Sequence, residues 1–166
     1  MNMKDTSPKL EQRRDQSYVA IRAHASRAEL STKLPPLIGE LAVWLAARGV
    51  NPAGAPFYRY LVIDQNEEFD IEVGFPVSNH LQGDGRVDAG VIPAGRYAVT
   101  THIGEYDRLQ DATANLKKWA ADNNVRWDAS EDESRWGARL ETYLTDPSEE
   151  PDPQKWQTEI AIRTSA

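Results

Sequence analysis

No cysteine occurs anywhere in the 166 residues, which removes disulfides, thiol nucleophiles and thiolate metal sites together. That fits a reducing compartment, and a cytoplasmic location is expected. Long apolar runs are missing too: none approaches the length that spans a bilayer, so no membrane partner is expected. The start, Met1-Asn2-Met3-Lys4-Asp5, carries charge and no apolar stretch, and does not read as a secretion signal. Positive charge is in deficit, with 19 Lys and Arg against 26 Asp and Glu and a net charge of −7. DNA would be repelled on average, because non-specific nucleic-acid affinity comes from neutralising phosphates, so no direct DNA binding is expected. A small partner suits this surface better, and an acidic surface favours the approach of cations.

Catalytic and cofactor signatures are equally sparse. There is no G-x-S-x-G elbow, no Walker loop and no dinucleotide fingerprint. Gly83, Gly85, Gly90 and Gly95 are spaced as turn residues, not as a phosphate cradle. Of the three histidines, His24 and His102 each end a predicted strand and His80 lies in a loop. None has a metal-ligand spacing with another His or a carboxylate cluster. Neither metal nor cofactor is expected.

What the chain does contain is a faint duplication. Leu34, Leu41, Trp44, Ala46 and Val50 reappear as Leu109, Leu116, Trp119, Ala121 and Val125. Leu, Leu and Trp fall seven and ten apart, so each set lies on one stripe of a helix. Gly49 and Asn124 follow the two stripes, where a left-handed residue commonly stops a helix. Pro35-Pro36 suits the first turn of the earlier helix, and Asp107 with Gln110 resembles a capping box for the later one.

Strands are predicted over Tyr18–His24, Phe57–Ile63, Phe69–Val77, Val87–Ile92, Arg96–Ile103, Trp136–Leu144 and Trp156–Arg163. Phe69–Val77 (FDIEVGFPV) alternates strictly, and with Phe57–Ile63 it reads as a hairpin. Each half is therefore strand, helix, strand, strand. Helices so few among strands so frequent predict an α+β fold of duplicated β-α-β-β units. It would have a mainly antiparallel sheet, two main helices and a groove between the halves. The halves span about 17–77 and 96–164 of one domain (17–166), and the polar residues 1–16 read as a loose arm.

Over about Tyr18–Arg163 the chain resembles the GyrI-like small-molecule-binding family, also found as effector-binding domains of AraC- and MerR-type regulators. FDIEVGFPV (69–77), PAGRYAVTTHIGEYDRL (93–109), LETYLTDP (140–147) and TEIAIR (158–163) carry the resemblance by their order and spacing. It implies the same duplicated fold with a ligand groove between repeats. The chain has no room for the helix-turn-helix region of the regulators, so the expected form is a stand-alone binder. Its ligands would be drugs, toxins or hydrophobic metabolites, amphipathic and aromatic, with cations among them. Two alternatives follow from the same resemblance. One is a hydrolase of strained electrophiles such as cyclopropane-bearing DNA-alkylating natural products; the other is a gyrase-inhibitor-like module with a protein partner.

Glu141 and Tyr143 share one face of their strand, and Glu141 matches the family's binding carboxylate by motif. In the hydrolase alternative Glu141 is also the catalytic residue. A carboxylate walled by aromatics selects cations, because excluding water strengthens their attraction. Tyr106 matches an aromatic position of the family motif; it either stacks on a ligand or staples the helix that follows. Tyr58 and Tyr60 share a strand face and serve either as pocket wall or as sheet packing. Trp44 and Trp119 either sandwich a flat ligand across the groove or belong to the core. Glu72 lies opposite the apolar face of its strand, where exposure or pairing with a basic side chain is the simpler role.

Overall fold

The structure is a computed structural model that describes residues 5–166. Its strands are β1 (Lys9–Arg13), β2 (Gln16–Ser26), β3 (Phe57–Ile63), β4 (Glu68–Pro76), β5 (Val87–Ile92), β6 (Gly95–Ile103), β7 (Arg139–Tyr143) and β8 (Gln157–Arg163). All join one antiparallel sheet in the order β1-β6-β8-β7-β3-β4-β2-β5. The helices are α1 (Leu30–Lys33), α2 (Pro35–Ala47) and α3 (Leu109–Asp122). Because α1 is a single turn, the architecture is α+β with two main helices.

Local chemistry sets most boundaries where they were expected. Pro35 and Pro36 occupy the first turn of α2, where a missing N–H costs nothing. Gly49 and Asn124 both adopt positive φ, at 68° and 59°, and stop the two main helices. Two expectations need correction. The Asp107–Gln110 capping box does not form: Tyr106–Arg108 is a 3-10 turn, and α3 starts at Leu109 without a side-chain cap. Gln110 instead lays its side-chain amide beside the Arg27 guanidinium. The strand predicted over Trp136–Leu144 shortens to Arg139–Tyr143, since Trp136 leaves the ladder for an isolated bridge to Ala129.

The sheet order reads as a palindrome. β2, α2, β3 and β4 match β6, α3, β7 and β8, and β3 meets β7 at the centre. There Phe57 faces Thr142, Tyr58 faces Glu141 and Arg59 faces Leu140, so the pseudo-two-fold passes between Tyr58 and Glu141. The leading strand of each half crosses over. β1 precedes β2 but pairs with β6, and β5 precedes β6 but pairs with β2. Even the register repeats, Glu11 facing Tyr97 as Gly90 faces Tyr18.

That exchange corrects the reading of residues 1–16 as a loose arm. Residues 9–13 form β1, and Thr6 and Asp5 are tied to the far end of β6. The strand is charged because it sits at an edge, held by ladder hydrogen bonds and not by burial. Residues 1–4 of the expected arm lie outside the described residues.

Alternation along the strands divides the core between two faces. Leu41 and Leu45 of α2 pack on Val19 and Ile21, and Leu116 of α3 packs on Ala98, Ile160 and Ile162. The opposite face carries a helix-free cluster that includes Tyr18, Phe57, Tyr97, Val99 and Leu140. Gly74 permits this arrangement, since a Cβ there would lie 2.7 Å from the Phe57 ring and 3.1 Å from the Val19 carbonyl. Gly74→Val is therefore expected to cost about 1–3 kcal/mol by overpacking, read as a lower urea midpoint. An unchanged midpoint would disprove the close approach.

Candidate functional site

The central pairing of β3 with β7 places Tyr58 directly opposite Glu141, on the helix-bearing face. Alternation then puts Tyr60, Arg139 and Tyr143 on the same face. Tyr60 Oη donates to Glu141 Oε1 at 2.8 Å, and Tyr143 Oη donates to the same oxygen at 2.7 Å. Glu141 Oε2 has no hydrogen-bond partner among the described residues. One oxygen is thus doubly satisfied and the other receives no donor from the described residues.

Aromatic rings wall this carboxylate. Tyr58 meets Tyr143 edge-on with centroids 4.8 Å apart, and Tyr106 meets Tyr143 at 5.6 Å. Trp156 lies 4.8 Å from Tyr106 at an interplanar angle of 30°. On the other flank the Phe69 ring lies 6.0 Å from that of Tyr60. Leu34, at the junction of α1 and α2, is fully buried against the Tyr58 and Tyr60 cluster and closes it from above. Burial pushes the Tyr60 and Tyr143 hydroxyls well above the ordinary phenol range, and the negative charge of Glu141 adds to the rise. Tyr58 and Tyr106 shift the same way, again chiefly through burial.

A cation stands beside this group. The Arg139 guanidinium lies 4.5 Å from the centre of the Trp136 ring and has no hydrogen-bond partner among the described residues. Burial lowers its pKa, while the charge of Glu141 opposes that shift. The two form no direct ion pair, so neither charge consumes the other's hydrogen-bonding capacity.

Of the residues singled out in the sequence, the structure brings Glu141, Tyr143, Tyr58, Tyr60 and Tyr106 together. It leaves Trp44 and Trp119 apart. Trp44, on α2, packs against the Val19 and Ile21 layer with Arg48 at 3.7 Å over its ring, and Trp119, on α3, packs against the Ala98 and Ile160 layer. Neither makes a ring contact with the tyrosines. Both tryptophans serve the helix-to-sheet layers, as their place on an apolar stripe allowed.

Trp156, Phe69 and Arg139 were not anticipated. The repeat held the signal for two of them: counting back from the matched positions Gly74 and Ala161, Phe69 corresponds to Trp156. Arg139 was readable as sharing a strand face with Glu141, but its burial was not. The histidines lie elsewhere. His24 is exposed beside Asp70 and Glu68; buried His102 bonds Asp5 and the Glu105 carbonyl. Among the described residues no group of three or more His, Asp or Glu could hold a metal, and no helix is long and apolar enough to cross a membrane.

Comparison with known proteins follows the same lines. A family model described as GyrI-like small molecule binding domain matches residues 6–164. A sequence search of curated proteins finds no match. Among solved structures, the EcmrR C-terminal domain is 22% identical with a TM-score of 0.79, covering 96% of this chain and 97% of that one. The chain spans 57% of the EcmrR chain in its DNA complex, at 22% identity, 95% coverage of this chain and a TM-score of 0.76. SAV2435 bound to tetraphenylphosphonium has 11% identity and a TM-score of 0.68, covering 97% of this chain and 95% of that one. A hydrolase from Listeria innocua has 11% identity and a TM-score of 0.62, covering 95% and 91%. At these identities the likeness is one of fold.

Raised phenol pKa values make a prediction of definite sign. Tyr60 and Tyr143 stay neutral in the folded state where the unfolded chain would ionise, so their contribution is intact below about pH 10. It is lost as pH rises through their folded values. Spectrophotometric titration of the six tyrosines should show a fraction ionising late, coupled to alkaline unfolding, and Glu141→Gln should bring that fraction to lower pH. One common wave near pH 10 would refute the assigned environment.

Proposed function

The chain belongs to the GyrI-like small molecule binding domain family, and we propose that it captures amphipathic aromatic cations at Glu141. The observation that carries this reading is the divided carboxylate, with Oε1 held by two phenols and Oε2 without a protein donor. The phenols fix the carboxylate's orientation, and the rings of Tyr58, Tyr143, Tyr106 and Trp156 offer faces to a delocalised cation. Cation–π contacts contribute about 0.5–2 kcal/mol each, and most where water is excluded. Apolar contact supplies the rest of the affinity, with a few polar groups setting orientation. The tetraphenylphosphonium bound by SAV2435 has this chemistry, a large apolar body around one positive charge.

Arg139 tempers the preference. A cation at Oε2 gains from Glu141 and loses to a guanidinium on the same face, so charge selectivity is moderate. Leu34 adds a steric condition: a ligand as large as tetraphenylphosphonium enters only when the α1–α2 junction moves off the tyrosines.

Calorimetric titration with tetraphenylphosphonium and with neutral triphenylphosphine oxide tests the assignment. Glu141→Gln should weaken the cation about tenfold or more, near 1.4 kcal/mol, and leave the neutral compound little changed. Arg139→Met should tighten the cation. Equal losses for both compounds would defeat the role given to Glu141.

A second reading has one specific observation in its favour: the open Oε2 could orient or deprotonate a water molecule. With developing positive charge stabilised by the rings, Glu141 would then act in hydrolysis of a strained electrophile. Mass spectrometry after multiple-turnover incubation with a cyclopropane-bearing alkylator separates the two. Water-added product in excess of protein supports hydrolysis, and unchanged compound supports capture.

A further inference from the structure

Arg139 shares its face of β7 with Glu141 and Tyr143 and stands two residues before the carboxylate. A guanidinium carries five N–H donors, and those of Arg139 meet no acceptor among the described residues. Its contact is with Trp136, whose ring centre lies 4.5 Å away. Approach to a ring face engages the charge and uses none of the donors. The Trp136 indole N–H is unpartnered as well, although that residue is only 5% exposed.

The cations nearby are placed differently. Arg27, whose charge reaches Arg139, has Nε 2.9 Å from Glu67 Oε2. Lys117, 5.8 Å from the Trp136 ring centre, has Nζ 2.8 Å from Glu133 Oε1. Each has a carboxylate of its own, whereas Glu141 attracts Arg139 without bonding it. Withdrawing a guanidinium from water with its donors idle is costly, and burial lowers its pKa accordingly. What is left unsatisfied beside Trp136 is thus of one kind, N–H donors around a positive charge.

Such a group calls for an anionic acceptor, and a carboxylate fits it best, since two oxygens match the guanidinium fork. A single negative charge also suits the balance: it compensates Arg139 and leaves Glu141 to a cation. A dianion would set its second charge against Glu141. Spacing permits one molecule to meet both, because residues two apart on a strand lie about 6.6 Å apart, roughly the span of one benzyl group.

On the reading that aromatic cations are captured at Glu141, we infer that the preferred guest is a zwitterion, its cationic centre at Glu141 and a carboxylate on the same aromatic frame held by Arg139. The arginine that counts against a simple cation is then what selects this one.

Calorimetric titration of the full chain with para-carboxybenzyl triphenylphosphonium and with its methyl ester tests the inference. The two compounds share one body and one positive charge. The unaltered chain should bind the acid about tenfold more tightly than the ester. Arg139→Met should move them in opposite directions, weakening the acid about tenfold or more and tightening the ester. Arg139→Lys, which keeps the charge and loses the fork, should retain only part of the preference for the acid. Equal binding of acid and ester by the unaltered chain, or a parallel shift of both in Arg139→Met, would overturn the zwitterion. Capture at Glu141 would survive that result as long as Glu141→Gln still weakened the ester. An ester indifferent to Glu141→Gln would instead bring down the capture reading, and this inference with it. Should Arg139→Met fail to fold, the comparison of acid with ester on the unaltered chain decides alone.

Discussion

The join between β3 and β7 is short, with Phe57, Tyr58 and Arg59 set against Thr142, Glu141 and Leu140. A net 0.5–1.5 kcal/mol per hydrogen bond makes such a ladder a modest source of stability. Its importance is positional. Each half brings a helix, a three-strand unit and its own apolar layer, and the join decides which side chains of the two halves face one another. A slip of one residue in β7 would turn Glu141 and Tyr143 to the other face, away from Tyr58 and Tyr60, and bring Leu140 and Thr142 to the helix side. The exchanged strands β1 and β5 guard that register from the outer edges, since each belongs to one half and pairs with the other.

At the join, Glu141 sets the polar contacts of its surroundings. Holding a carboxylate beside aromatic rings is costly unless donors satisfy it, and charge-assisted hydrogen bonds from Tyr60 and Tyr143 offset that cost. Burial first, and the charge of Glu141 after it, make these phenols harder to ionise, which keeps them donors over the whole neutral range. Arg139 lies on the same face without bonding the carboxylate, so the site holds a separated pair of opposite charges. That separation leaves polar capacity for a guest on both.

Much of this was legible in the residues. The strict alternation of FDIEVGFPV, the paired Leu-Leu-Trp stripes and the left-handed positions Gly49 and Asn124 led directly to the duplicated α+β fold. The neighbourhood of Glu141 followed from alternation along β3 and β7 once the halves were recognised. Other features depend on contacts between distant segments. β1 has the composition of a solvated arm, and only its hydrogen bonds to β6 make it a strand. Trp44 and Trp119 look like groove residues by symmetry, yet side-chain direction places them in the layers beneath α2 and α3. Trp156 precedes its strand, where alternation gives no direction, and its stacking on Tyr106 is set by the loop from residue 145 to 155.

The near-equivalence of Tyr58 and Glu141 has a further consequence. Had two separate copies of a half-length chain met across this axis, the facing positions would be identical, giving either two phenols or two like-charged acids in direct cross-strand opposition. Opposed carboxylates repel, and such an assembly would share a proton or come apart. Joining the copies covalently frees one member to change without its twin. A lone anion on a molecular axis is something that a strictly symmetric dimer is barred from having.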